Sequence, residues 1–137
     1  MAVTGYSGTP LPTKLGIRPG DEVAFLNAPA EFSAAMAELR GVTVHAGLPP
    51  GEQLDVIVAF VTWRAELEAG LADMREHMAP ACGLWIAWPK KAARLPTDMT
   101  DHAVRDVALP TGLVDNKVCA IDPTWTGLRL VIRRELR

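Results

Sequence analysis

The sequence predicts an α/β domain of three layers, with a mostly parallel sheet and an antiparallel hairpin at its C-terminal end. Three observations carry this. Apolar runs alternate with segments of helical periodicity through residues 22–109, the order that builds a parallel sheet with right-handed crossovers. One run, Leu54–Val61 (LDVIVAFV), is apolar almost without break, as a strand covered on both faces reads. The last stretch holds two strand-like runs around DPTWTG, whose Asp-Pro and Thr-Gly steps are turn chemistry.

The elements follow in order. Gly5, Gly8, Pro10, Pro12, Gly16, Pro19 and Gly20 crowd residues 1–20 and predict an irregular arm ending in a Pro-Gly turn. Glu22–Asn27 (EVAFLN) is a buried strand candidate. Pro29 suits a first helical turn. Phe32, Ala35, Met36 and Leu39 then repeat at helical spacing, and Gly41 stops the helix. Val42–Ala46 is a second short strand, and the loop GLPPGEQ leads to Leu54–Val61. Thr62 is placed to cap the next helix, whose buried stripe is Leu67, Leu71, Met74 and Met78. After APACG comes the strand Leu84–Trp88 (LWIAW). A third helix runs near Thr100–Leu109 with Val104, Val107 and Ala108 inward, and Pro110 ends it. The strands 114–121 and 128–133 close the chain. Segments 22–27, 54–61 and 84–88 are expected as parallel neighbours, with the hairpin adding an antiparallel strand at one edge.

The bulk properties bound the function. A chain of 137 residues suits one domain, 1–137, and can bury a core without staples. Apolar residues make up 49% and charged residues 22%, so most of the length should fold. The longest apolar stretch is too short to span a bilayer, and MAVTGYSGTP lacks the build of a secretion signal. Cys82 and Cys119 stand apart from any Cys/His cluster, so neither a disulfide framework nor a metal is expected. A reducing cytoplasm fits this cysteine usage. The two thiols read as small buried hydrophobes. Net charge is −5 over residues 1–82 and +3 over 83–137, which gives the second part a bias toward anionic partners. Arg129, Val131 and Arg133 alternate with Leu128, Leu130 and Ile132, as on a strand with one wet face. Together with a sequence pI of about 5.9, this speaks against nucleic acid as the partner.

Two resemblances arise at this point. LGIRPGDEVAFLNAP resembles the opening of the Rossmann-like S-adenosylmethionine-dependent methyltransferases, with Leu-Gly, a Pro-Gly turn and an apolar strand. MAPACGLWIAW is similar to their later glycine-then-strand element, and residues 113–134 to their final hairpin. That likeness implies a small, truncated methyltransferase-like fold. GYSGTPLPTKLGI (5–17), LWIAWPKK (84–91), LPTDMT (95–100) and LVDNKVCAIDPTWTGLRLVIRR (113–134) resemble the bacterial family DUF3052 (domain of unknown function 3052) nearly end to end. The second resemblance implies no activity.

The chemistry of methyl transfer is missing where the first resemblance would put it. The fold needs a glycine-rich turn after its first strand so that backbone can approach the cofactor. Here the turn is Asn27-Ala28-Pro29-Ala30, where proline also removes a donor. The second strand should end in an acid for the ribose hydroxyls, yet it ends in His45-Ala46-Gly47. No cofactor is therefore expected. No nucleophile motif compensates, and His45, His77 and His102 have no metal-ligand spacing. His77 reads as a solvated residue near a helix end. The leading expectation is a non-catalytic binding or interaction module for an unknown protein.

The alternative is a binder of an anionic or nucleotide-type ligand, or a small enzyme, using the strand-end rim. In open α/β sheets ligands bind beyond the carboxyl ends of the strands. Those ends collect Asn27, His45, Thr62, Trp63, Trp88, Pro89, Lys90 and Lys91. Lysines there could hold an anion, and Trp88 could stack on a ring. Asp115, Asn116 and Lys117 enter the tail hairpin, and Lys117 is expected to converge with Lys90 and Lys91. Asp98, Asp101 or Asp115 would neutralise the cluster. Trp85 reads as core. Trp125, placed in the hairpin turn, should either pack back on the sheet or mark a partner surface.

Overall fold

A computed structural model describes residues 9–137. Its elements are α1 (Leu11–Lys14), β1 (Glu22–Leu26), α2 (Ala30–Ala35), β2 (Thr43–His45), β3 (Leu54–Phe60), α3 (Arg64–Glu76) and β4 (Met78–Pro89). They are followed by α4 (Asp101–Ala108), β5 (Leu113–Ala120) and β6 (Trp125–Ile132). All six strands form one sheet, ordered β2-β1-β3-β4-β6-β5. Strands β1, β3 and β4 are parallel neighbours as expected, and β3 is buried at every position except Asp55. Its near-continuous apolar composition follows from that central place, with a core on each face.

The hairpin enters the sheet differently from the expectation. The antiparallel strand β6 lies between β4 and β5, and β5 forms the edge. Running antiparallel to β6, β5 points the same way as β4. The last connection is therefore an insertion rather than an added rim strand. Residue alternation sees a strand's faces, not its neighbours, and cannot give that order.

Two packed layers cover the sheet. On one side Leu67, Leu71 and Met74 of α3 and Val104 and Ala108 of α4 bury against Ile57, Leu84, Ile86, Leu128 and Leu130. On the other, Leu15, Ile17 and Phe32 bury against Val56, Val58, Phe60 and Trp85. Residues 1–8 of the expected irregular arm lie outside the described residues. The rest of the arm is ordered: α1 is one helical turn, and Leu15 is fully buried after it. The Leu15 carbonyl accepts a hydrogen bond of 3.0 Å from Trp85 Nε1 inside the core. Pro10, Pro12 and Gly16 hid a single helical turn, Leu11 to Leu15, from periodicity.

Three boundaries also move. Met78 is not on the α3 stripe. The helix ends at Glu76, and Met78 opens β4 opposite Leu54. A buried methionine four residues after Met74 satisfies both patterns, and periodicity alone cannot separate them. The APACG segment is strand rather than loop, with a register shift against β3 between Leu54 and Val56. Pro110 sits in a 3-10 turn, Leu109–Thr111, which Gly112 at φ +89° ends. Trp125 opens β6 and packs edge-on against Phe60 at 5.1 Å between ring centroids, so it packs back on the sheet. Asp122 Oδ1 accepts from the Thr124 and Trp125 amides at 2.8 and 2.7 Å, and so makes the turn.

Among the described residues no helix is long and apolar enough to cross a membrane.

Candidate functional site

Chain order reverses at β1 and β3, whose carboxyl ends frame the crevice where open α/β sheets bind ligands. On the β1 side Asn27 turns the chain at φ +57°, a left-handed conformation that asparagine tolerates better than most residues. Pro29 then caps α2, a helix of only six residues with Glu31 in its first turn.

On the β3 side the backbone donors are taken by the chain itself. The amides of Thr62 and Trp63 both donate to Glu66 Oε1 at 3.1 Å. The Arg64 amide donates to Asp98 Oδ1 at 2.7 Å. Glu66 thus reaches back from the first turn of α3, as acidic residues at this position commonly do. Thr97 Oγ1 donates to the Thr62 carbonyl at 2.5 Å and accepts from the Met99 amide at 3.0 Å. Two carboxylates occupy the positive end of a thirteen-residue helix, where an anionic ligand would otherwise be favoured.

At the end of β4, Trp88 is only 8% exposed and belongs to the α3–α4 core, and what remains open of it lines the same hollow as Lys91. The Lys90 amide donates to the Thr124 carbonyl at 2.8 Å. Lys91 lines a hollow of about 360 Å3 together with Pro89, Thr97, Asp98 and Asp101. Two of the carboxylates expected to offset the lysines are therefore at hand. Trp63 is 44% exposed and is not among the residues that line this hollow.

Lys117 does not join this rim. Its register partner is Arg129, which in turn sits opposite Trp85, five residues before Lys90. At roughly 3.3 Å per residue that is about 17 Å along the strands. Asp115 is committed to α4, since Arg105 Nε donates to it at 3.1 Å. The same guanidinium bonds Asp101 at 3.0 Å. The Asp115 hydrogen bond leads in raising the Arg105 pKa, and Arg105 in turn holds the Asp101 carboxyl below its ordinary range. Asn116 and Lys117 line a separate hollow with Thr13, Lys14, Gly16 and Arg129. The sequence carried no signal for this split, because one register shift in β5, between Asp115 and Lys117, decides which way the triplet faces.

His45 is tied to β1. Its Nε2 lies 2.8 Å from Glu22 Oε1, and with Glu52 these ligand atoms fall within 4.8 Å of one another. The trio could accept a cation, and its members are too far apart in the chain for spacing to reveal it. His77 is not simply solvated. Nδ1 faces the Asp73 carbonyl at 2.7 Å and Nε2 faces the Pro49 carbonyl at 3.0 Å, which ties the loop before β3 to the end of α3.

Both cysteines are free and buried. Burial pushes the Cys82 thiol up to about 12, with Asp55 adding to the shift. A thiol whose folded pKa lies above its unfolded value contributes stability below the unfolded pKa, and loses it as pH rises toward the folded one. Native protein at pH 8 should therefore leave Cys82 unlabelled by iodoacetamide, and stability should fall between about pH 9 and 12. Peptide mass mapping with and without urea checks the first part. Rapid native labelling of Cys82 would contradict it.

No family model matches the sequence, and no curated protein matches it. Solved structures do resemble the fold. A ribosomal protein L11 methylase from Lactobacillus delbrueckii subsp. bulgaricus aligns with a TM-score of 0.58 at 9% identity, covering 90% of this chain and 75% of that one. A putative methyltransferase from Thermoplasma acidophilum aligns at 0.58 and 10% identity, covering 96% and 77%. A SAM-dependent methyltransferase from Aquifex aeolicus also aligns at 0.58, with 15% identity over 88% and 87%. Identities this low speak to the fold alone: it is the Rossmann-like, methyltransferase-like α/β fold.

Proposed function

We propose that this chain is a non-catalytic binding module that keeps the methyltransferase-like fold without its methyl-donor site. The observation that carries the reading is the occupied head of α3. Glu66 and Asp98 already accept from the Thr62, Trp63 and Arg64 amides beside the chain-reversal crevice. The facing turn adds to it. Asn27-Ala28-Pro29-Ala30 has side chains where close approach of a cofactor asks for glycine, and one amide fewer. The β2 strand ends in His45, held on Glu22, where the ribose hydroxyls would meet an acid. S-adenosylmethionine does not suit these residues. The sequence blocks at 5–17, 84–91, 95–100 and 113–134 favour placing the chain in DUF3052. A cysteine-poor chain of this composition suits a single-domain cytoplasmic protein.

A ligand that binds only the native state raises its melting temperature by mass action, by about 2.7 kcal/mol at a hundredfold excess over Kd. Millimolar S-adenosylmethionine should leave the melting temperature unchanged. A rise of several degrees would overturn the reading.

The second reading, an anionic ligand at the rim, keeps one support: the hollow of about 360 Å3 beside Lys91. Its own Asp98 and Asp101 weigh against an anion there.

A further inference from the structure

We propose a second, separate site: Arg129, Lys117 and Asn116 form a receptor for a phosphoryl group on the α1 face of the sheet. It does not depend on whether the strand-end rim is active.

Three features build it. The first is a fitted cation. A Cβ on Gly83 would lie 2.5 Å from Arg129 Nε and 2.9 Å from its Cζ, so the guanidinium rests directly on the β4 backbone at Gly83. The second is the register shift in β5. Asp115 pairs with Leu130 and Lys117 with Arg129, which leaves Asn116 as the extra residue. Bulges of this kind re-aim side chains. Asn116 Oδ1 accepts from Arg129 Nη1 at 3.3 Å, and Lys117 stands across the ladder from Arg129. The third is the shape. A hollow of about 210 Å3 lies among Thr13, Gly16, Asn116, Lys117 and Arg129. A second of about 190 Å3 shares Asn116 and Arg129 and adds Arg137.

The charge is one-sided. No aspartate or glutamate lines either hollow, and Arg129 has no ion pair among the described residues. Residues 1–8 contain no acidic residue that could supply one. Half-burial lowers the Arg129 pKa, with Arg137 adding to the effect, so the cation sits where its charge is poorly solvated. Charges taken out of water are normally paired, and the half-buried Arg129 has an amide oxygen as its side-chain partner. A dianion would answer Arg129 and Lys117 together, and Arg presents the forked donors that match phosphoryl oxygens. The Asn116 amide nitrogen supplies a further donor.

The test is an NMR titration of the 15N-labelled protein with inorganic phosphate and, separately, with adenosine 5′-monophosphate. Saturable shifts are expected at the Asn116 and Lys117 amides and at Arg129 Nε, with Kd on the order of millimolar or tighter. A tighter Kd for the nucleotide would assign the phosphoryl group to a larger ligand, and equal values to free phosphate. Lys117→Ala removes an exposed side chain, should leave the fold intact, and should weaken binding by about fivefold. Arg129→Gln should abolish it. If that variant does not fold, the wild-type shifts and Lys117→Ala still decide. No saturable shift at these three residues by 20-fold excess over ~1 mM, or shifts that Lys117→Ala leaves unchanged, would overturn the proposal.

Discussion

Replacing Trp85 with alanine should cost about 5 kcal/mol and leave little cooperative unfolding. The side chain is fully buried in the α1–α2 core and is among the largest in the molecule to be so. A Cβ on Gly127 would meet Trp85 Cε3 at 3.2 Å, so the ring packs closely over the β6 backbone at Gly127. Large-to-alanine changes of this kind cost ~3–5 kcal/mol. The substitution also strands the Leu15 carbonyl, which has its partner in Trp85 Nε1, and an unsatisfied buried acceptor adds ~1–3 kcal/mol. Domains of this size are stable by only ~5–15 kcal/mol. Urea unfolding followed by circular dichroism gives the answer. Trp85→Phe separates the terms, because it keeps most of the ring volume and loses the hydrogen bond, and should cost roughly half as much. A loss under about 1 kcal/mol for Trp85→Ala would show that the arm does not pack as described.

Phe32→Ala should cost about 4 kcal/mol, with a more local consequence. Phe32 is 2% exposed and meets Phe25 and Phe60 edge-on, at 5.0 and 4.9 Å between centroids. Such pairs add to simple burial. Helix α2 has six residues, too few to hold its shape without packing. Phe32 is its only buried side chain, so the substitution releases the whole segment. Amide exchange should accelerate at 30–36 well before the β3 amides respond. Equal acceleration across α2 and β3 would mean that the two melt as one unit.

The sequence made the sheet legible because burial and period coincide there. LDVIVAFV is apolar on both faces for a reason that survives into the structure, and Leu67, Leu71 and Met74 mark a helix facing a core. What stayed hidden depends on neighbours far along the chain. Trp125 reads as a turn aromatic until Phe60 is placed beside it. Leu15 reads as part of an irregular arm until Trp85 reaches its carbonyl. For the candidate site the local chemistry was readable: the turn without glycine and the strand ending in histidine are both in the string. The grouping was not. Lys117 and Lys90 look alike in the string, and only the register that sets Lys117 across from Arg129, and Arg129 across from Trp85, separates them. Glu66 and Asp98 gave no sign of filling the head of α3, since Asp98 comes from a loop 34 residues away.

The central claim is that the crevice between β1 and β3 is closed by the chain's own groups. It is tested most directly by titrating the 15N-labelled protein with S-adenosylmethionine while following the amides of Asn27, Ala28, Thr62, Trp63 and Arg64. The last three are the donors already bonded to Glu66 and Asp98. The account predicts no saturable shift at any of the five up to millimolar ligand. Shifts at these amides that saturate with a micromolar Kd would contradict it, since the ligand would then have displaced both carboxylates from the head of α3.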